Sequence, residues 1–229
     1  MSTLIGWDVA QTTDSSIIAV IVYDGNPAQY WVRRIVKLQK GMPYDQQVRE
    51  VRDIYHQHKD ATLLIDRTGV GLPICDMIVA SGLDPVQVSL TAGDLTTRPE
   101  HGKVNLPKKD MVASITKVIQ ERRVKVVKGC ENATLFRSEL KNFQLKVSAS
   151  GHNSYNAAPG QHDDSITAVG LCLWCGEKDG AQADPGELVS CGWTDDNGFR
   201  VRMPGEEMPP HSEWRIEDFE YAARYGGGR

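Results

Sequence analysis

In the amino-terminal part of the chain, hydrophobic positions come as short, partly alternating runs rather than as a helical stripe. LIGWDVA at 4–10, SSIIAVIVYDG at 15–25 and YWVRRIVKLQ at 30–39 predict three consecutive antiparallel strands, the second closing on an Asp-Gly turn. Pro43 then opens a helix in which Tyr44, Val48, Val51, Ile54 and Tyr55 recur at helical spacing. ATLLIDRTGVG at 61–71 predicts a strand whose last residue is a carboxylate, with Gly69 and Gly71 permitting a tight exit into the helix PICDMIVASG. PVQVSL is a further strand.

Periodicity is lost through TAGDLTTRPEHGKVNLP at 91–107, which predicts an exposed, mobile loop and a candidate gate for access. Residues 108–121 form an amphipathic helix with Met111, Ile115, Val118 and Ile119 on its apolar side, and VKVV a short edge or crossover strand. Residues 131–142 again predict a helix, through Leu135, Phe136 and Leu140 to Phe143; FQLKVSASGHNSYNAA predicts a hairpin around Gly151. HDDSITAVGLCLWCG opens a largely apolar helix near the expected end of the compact domain. Strands interleaved with helices in this way make an α/β protein.

Composition adds mainly exclusions. A chain of 229 residues with 40% hydrophobic and 24% charged positions can bury one sizeable core, and is neither a disulfide-stapled miniprotein nor a collagen-like or wholly disordered chain. Five irregularly spaced cysteines predict a reduced, intracellular protein. CLWC at 172–175 lacks a second ligand pair and fits core cysteines better than zinc. The amino terminus has no basic segment followed by a long apolar run, and no stretch is long enough to cross a bilayer, so a soluble protein with no membrane partner is expected.

The formal charge of −4 conceals a basic middle, 98–146, and an acidic tail. Arg98, Lys103, Lys108, Lys109, Arg122, Arg123, Lys125 and Lys128 would present a DNA-binding surface if they share a face, touching phosphates without reading bases. Charge alone fits scattered solubilising groups equally well. From Glu177 the chain is rich in Gly, Pro and acidic residues, punctuated by Trp193, Phe199, Trp214, Phe219 and Tyr221. The expected organisation is therefore a domain at 1–176 and an extension at 177–229 that is partly flexible or partner-binding.

Three carboxylate stations carry the chemistry. Asp8 and Asp66 interrupt two strongly apolar strands, where an isolated buried carboxylate is costly, and Asp163 and Asp164 open a helix after a polar loop. Divalent metal gives all three stations one explanation, since hard cations take oxygen ligands and Mg²⁺ uses only a few carboxylates. Asp8 between two ions about 3.5 to 4 Å apart, with Asp66 on one and Asp164 on the other, would suit phosphodiester hydrolysis without a covalent nucleophile. Hydrogen bonding to turn amides is the alternative for Asp8 and Asp66, and helix capping is the alternative for Asp163 and Asp164. His162 is a candidate to orient a carboxylate or water, and Lys108 and Lys109 are candidates to contact the scissile phosphate.

IGWDVA at 5–10, LLIDRTGVG at 63–71 and GQHDDSITAVGLCLW at 160–174, with RSELKNF at 137–143 before the last, resemble the nuclease domain of the tailed-phage terminase large subunit, in the RNase H-like superfamily. The resemblance covers about 1–176. It implies a mixed central sheet flanked by helices and metal-dependent endonucleolytic cutting of double-stranded DNA during genome packaging. Asp8, Asp66 and Asp164 would match the family's three acidic residues, with Asp163 adjacent, using Mg²⁺ or Mn²⁺, and the host cytoplasm would be the place of action. No GxxxxGK[ST] motif and no nucleotide site are evident, so the expectation is an excised domain or a separate nuclease subunit, with the packaging ATPase elsewhere, or a phage-encoded relative with another DNA-processing role. Under this resemblance the tail would contact the portal or another packaging component through Trp193, Trp214, Phe219 and Tyr221, or form a locally folded cap. A RuvC-type Holliday-junction resolvase is the nearest enzymatic alternative, and a non-catalytic DNA- or motor-binding module the alternative of another class.

Overall fold

The computed structural model describes residues 1–10, 14–58, 60–69, 71–100, 102–149 and 163–181. Strands β1 (Ser2–Asp8), β2 (Ile17–Asp24) and β3 (Gln29–Lys37) are followed by α1 (Tyr44–His56), β4 (Thr62–Asp66), α2 (Gly71–Ala80) and β5 (Val86–Thr91). Next come β6 (Thr97–Glu100), β7 (Lys103–Pro107), α3 (Lys108–Gln120), β8 (Val124–Val126), α4 (Ala133–Ala149) and α5 (Asp164–Ala181). The strands form one eight-stranded mixed sheet in the order β6-β7-β5-β4-β1-β2-β3-β8. β1, β2 and β3 pair antiparallel, as their hydrophobic patterns predict, and β4 returns parallel to β1 at the centre.

Alternation along the strands divides the core between two faces. On β1, Ile5 and Trp7 pack with Ile65, Val51 and Ile78 beneath α1 and α2, whereas Leu4 belongs to the face covered by α3, α4 and α5. Gly6 also lies on that second face, under α5: a Cβ there would meet the Ala168 carbonyl oxygen at 2.0 Å. The next residue on the same face is Asp8. On β4, Leu64 faces α5 and Asp66 follows it by two. The strand period thus turns both carboxylates toward α5.

Two expectations are corrected. The stretch 91–107 is not a loop throughout: β5 extends to Thr91, and β6 and β7 form a hairpin whose β7 pairs parallel with β5. Val104 and Leu106 alternate into the core, a period too short to stand out among Gly, Thr and Pro. Likewise, residues 143–149 continue α4 instead of starting a hairpin, because Phe136, Leu140 and Phe143 form one buried helical stripe. The rest of that expected hairpin, and residues 182–229 of the expected extension with Trp193, Phe199, Trp214, Phe219 and Tyr221, lie outside the described residues.

Helix α5 runs on to Ala181, and Glu177, the first residue of the expected extension, is tied into the fold. Its carboxylate accepts two parallel bonds from Arg123, at 2.6 and 2.7 Å, one from Lys117 Nζ at 2.9 Å and one from the Tyr30 hydroxyl at 2.9 Å. Arg123 also donates to the Ala28 carbonyl at 2.7 Å and is 3% exposed. Burial pushes the Glu177 carboxyl up, but the hydrogen bonds from Arg123, Lys117 and Tyr30 outweigh it and hold the group down at about 2. A depressed carboxyl stabilises the fold fully above its ordinary value and loses that contribution as pH falls through about 2. Allowing for solvent screening, the contribution is roughly 1–2 kcal/mol. Glu177→Ala strands a buried guanidinium and is expected to cost about 3 kcal/mol in urea denaturation at neutral pH, with the deficit shrinking in acid.

Candidate active site

Parallel pairing sets the first two carboxylates side by side. The register runs Gly6 with Leu64 and Trp7 with Ile65, so one further step brings Asp8 beside Asp66 at the same end of the sheet, on neighbouring strands about 4.8 Å apart. Asp66 is 9% exposed and its Oδ1 accepts the Thr68 N–H at 2.8 Å. Thr68 Oγ1 in turn accepts the Leu90 N–H at 2.9 Å, and Gly69, at φ +68°, supplies the left-handed conformation of the turn. The RTG segment therefore clamps the Asp66 loop to β5.

The third station arrives through helix periodicity. α5 starts above the carboxyl ends of β1 and β4 and crosses the sheet with Ala168 against Gly6. Asp164 lies four residues before Ala168 on the same helical face, a rise of about 6 Å. That is close to the two-residue step of about 6.6 Å from Gly6 to Asp8 along β1. Close approach at Gly6 is thus what brings the start of α5 down to the strand ends. Asp163, just ahead of the helix, accepts from Lys108 Nζ at 3.0 Å.

Electrostatics register the convergence. Burial, first, and then the charges of Asp66, Asp164 and Asp163 push the Asp8 carboxyl well above the ordinary range, with Lys108 opposing. Burial likewise raises Asp66, against the Thr68 hydrogen bonds and the Lys108 charge. Among the described residues, no three His, Cys, Asp or Glu side chains enclose a ready-made metal cage. The donor set nevertheless fits a hard divalent cation: it is all oxygen, it carries excess negative charge, and such an ion completes its shell with water.

Of the remaining candidates, Lys108 reaches the acidic cluster, while Lys109 instead pairs with the exposed Asp94. His162 lies outside the described residues. The eight basic residues do not share a face. Lys108 and Lys109 follow the carboxyl end of β7, beside the carboxylates, whereas Lys103 opens β7 and Arg122 and Arg123 precede β8 at the opposite end of the sheet. Lys125 lies on edge strand β8, Lys128 just beyond it, and Arg98 on β6 at the other edge. Arg123 is corrected most firmly: its guanidinium is held by Glu177 and Glu121, which leaves no fork for phosphate.

One buried group went unread in the sequence. Glu139 on α4 is 7% exposed and accepts from both the N–H and the hydroxyl of Ser165, in the first turn of α5. Its signal was present: Glu139 sits three residues after Phe136 and four before Phe143, on the apolar stripe where a solvated carboxylate does not belong.

A mixed sheet with three leading antiparallel strands, helices on both faces and carboxylates at the central strand ends defines an RNase H-like fold. A family model described as the terminase RNase H-like domain matches residues 5–173, and the chain belongs to that family. Solved structures agree on the fold. The large terminase nuclease of thermophilic phage G20c is 20% identical, with 74% of this chain and 80% of that one covered at a TM-score of 0.53. Two further structures of that nuclease, described as having bound magnesium and bound cobalt, are each 19% identical over 75% of this chain and 80% of theirs, with TM-scores of 0.55 and 0.54. Comparison with curated proteins returns no match.

Proposed function

We propose that the chain is a metal-dependent endonuclease that hydrolyses phosphodiester bonds of double-stranded DNA in phage genome packaging. The observation that carries this reading is the convergence of Asp8, Asp66 and the start of α5 at one end of the central sheet, with Asp8 raised by its acidic neighbours. Asp8, Asp66 and Asp164 are the ligands, with Asp163 adjacent. Mg²⁺ or Mn²⁺, two ions per site, would supply an activated water and stabilise the leaving oxygen. The magnesium and cobalt structures of the phage G20c nuclease support a divalent requirement.

The protein's own groups prepare that chemistry. Thr68 fixes the Asp66 carboxylate through its N–H. Lys108 holds Asp163 and partly offsets the acidic charge; it is also the cation best placed for a substrate phosphate. Lys109 follows Lys108 at the start of α3 and would contact the neighbouring DNA backbone. In packaging, the chain would act in the host cytoplasm together with the terminase ATPase, and the acidic, aromatic extension beyond α5 would contact the portal or another component. Among the described residues no helix is long and apolar enough to cross a membrane.

Cleavage of linear duplex, supercoiled plasmid and a four-way junction, in EDTA, Mg²⁺ and Mn²⁺, tests the proposal. Metal-dependent cutting of both duplex forms with little sequence preference is expected. Paired nicks confined to the junction would favour a resolvase, and binding without cutting in any metal would favour a non-catalytic module.

A further inference from the structure

The first turn of α5 is capped in an unusual way. Asp163 occupies the N-cap position, since its carbonyl accepts the Thr167 N–H at 2.8 Å. An N-cap aspartate ordinarily turns its own carboxylate back onto the N–H groups two or three residues on. Here those groups are already taken from another helix. The Glu139 carboxylate accepts the Ser165 N–H at 2.9 Å and the Ser165 hydroxyl at 2.5 Å, and it bonds the Ile166 N–H as well. Asp163 points elsewhere, to Lys108.

We propose that Glu139 is a positioning residue: by capping α5 from α4, it releases the Asp163 carboxylate from capping and fixes the helix start so that Asp163 and Asp164 face Asp8 and Asp66. The burial supports this. Glu139 is 7% and Ser165 0% exposed, so water cannot take over the cap, and a donor left there without Glu139 must find a protein acceptor. The nearest by sequence is Asp163 itself. Loss of Glu139 therefore draws Asp163 away from Lys108 toward Ser165 and Ile166, and because one carboxylate shared with Lys108 holds the three donors less completely than Glu139, the first turn also loosens. An anionic cap also sits favourably at the positive end of the helix, which separates this role from that of an apolar packing residue.

The inference rests on the proposed nuclease reading, and its test separates the two. Glu139→Ala and Glu139→Gln are compared with the unaltered protein by hydrogen exchange at the Ser165 and Ile166 amides without metal, by Mn²⁺ calorimetry, by duplex cleavage and by urea denaturation. In Glu139→Ala, faster exchange confined to the first turn of α5 is expected, with Mn²⁺ affinity about 10–100-fold weaker. kcat should fall while KM for DNA holds, and Glu139→Gln, which keeps an acceptor oxygen, should recover most of each loss. A merely structural role predicts loss of activity only in proportion to global stability, with Mn²⁺ affinity of the folded protein unchanged; that result overturns the proposal. Unchanged exchange in Glu139→Ala overturns the positioning role whatever the nuclease result. Unaltered protein that neither binds Mn²⁺ nor cuts DNA overturns the nuclease reading instead.

Discussion

Asp8→Asn is expected to lose about 10²–10⁴-fold of the duplex cleavage and yet, in EDTA at neutral pH, to melt at a higher temperature than the unaltered protein. The activity loss follows from taking away the carboxylate that would serve both metal ions, a transition-state contribution of several kcal/mol. The stability gain follows from the same burial and crowding. Because the Asp8 carboxyl is raised in the folded protein, the native state holds a proton that the unfolded chain has released once pH passes the ordinary carboxylate value. Stability therefore falls as pH rises through that window and stays lower above it. Asparagine does not titrate, so the advantage of the variant should be absent in acid and grow toward neutral pH. Each kcal/mol relieved shifts the melting temperature by about 2–4 °C in a chain of this size. Mn²⁺ should reverse the order, since only the unaltered site gains binding energy from it. Melting curves at several pH values, with and without Mn²⁺, check the account; an Asp8→Asn protein less stable than the unaltered one in EDTA would contradict it.

Gly6→Ala is expected to be the most damaging single-methyl substitution among the described residues of β1. The added carbon would lie 2.0 Å from the Ala168 carbonyl oxygen and 2.8 Å from Cys172 Sγ. The first of these is helix backbone, which no rotamer change relieves. Either α5 lifts from the sheet or the strand bends, at a cost of about 3 kcal/mol or more. Because Asp164 rides one turn above Ala168, lifting the helix also withdraws Asp164 from Asp8. Activity should therefore fall further than the stability loss explains, even at temperatures where the variant is fully folded. Urea denaturation paired with cleavage at low temperature measures both effects, and a folded variant with full activity would show that close packing at Gly6 does not place the site.

Much of this architecture is legible in the sequence because it depends on local pattern. Asp8 and Asp66 stand out as carboxylates ending apolar strands, and their common face follows from a period of two. Asp163 and Asp164 stand out as acidic residues opening an apolar helix. What stays hidden depends on partners distant along the chain. Arg123 looks like one more basic residue of a positive segment, and only the fold brings Glu177, on another element, against its guanidinium. Basic residues on 98–146 divide between opposite ends of the sheet because β7, α3 and β8 carry the chain up, down and up again, a path that charge composition does not contain. The β6–β7 hairpin is missed because its alternation is brief and acquires meaning only from the β5 edge that it joins. Glu139 is intermediate: its place on the stripe marked it as anomalous, but its partner, Ser165, is visible only in three dimensions.

The central claim is that the carboxylates at the ends of β1 and β4 and the start of α5 together hold divalent ions. Anomalous diffraction from crystals of the protein grown with Mn²⁺ tests it most directly. The account predicts anomalous density bridged by Asp8, with Asp66 and Asp164 completing the ligand sets. Strong density elsewhere, with none at these carboxylates in Mn²⁺ that supports cleavage, would contradict it.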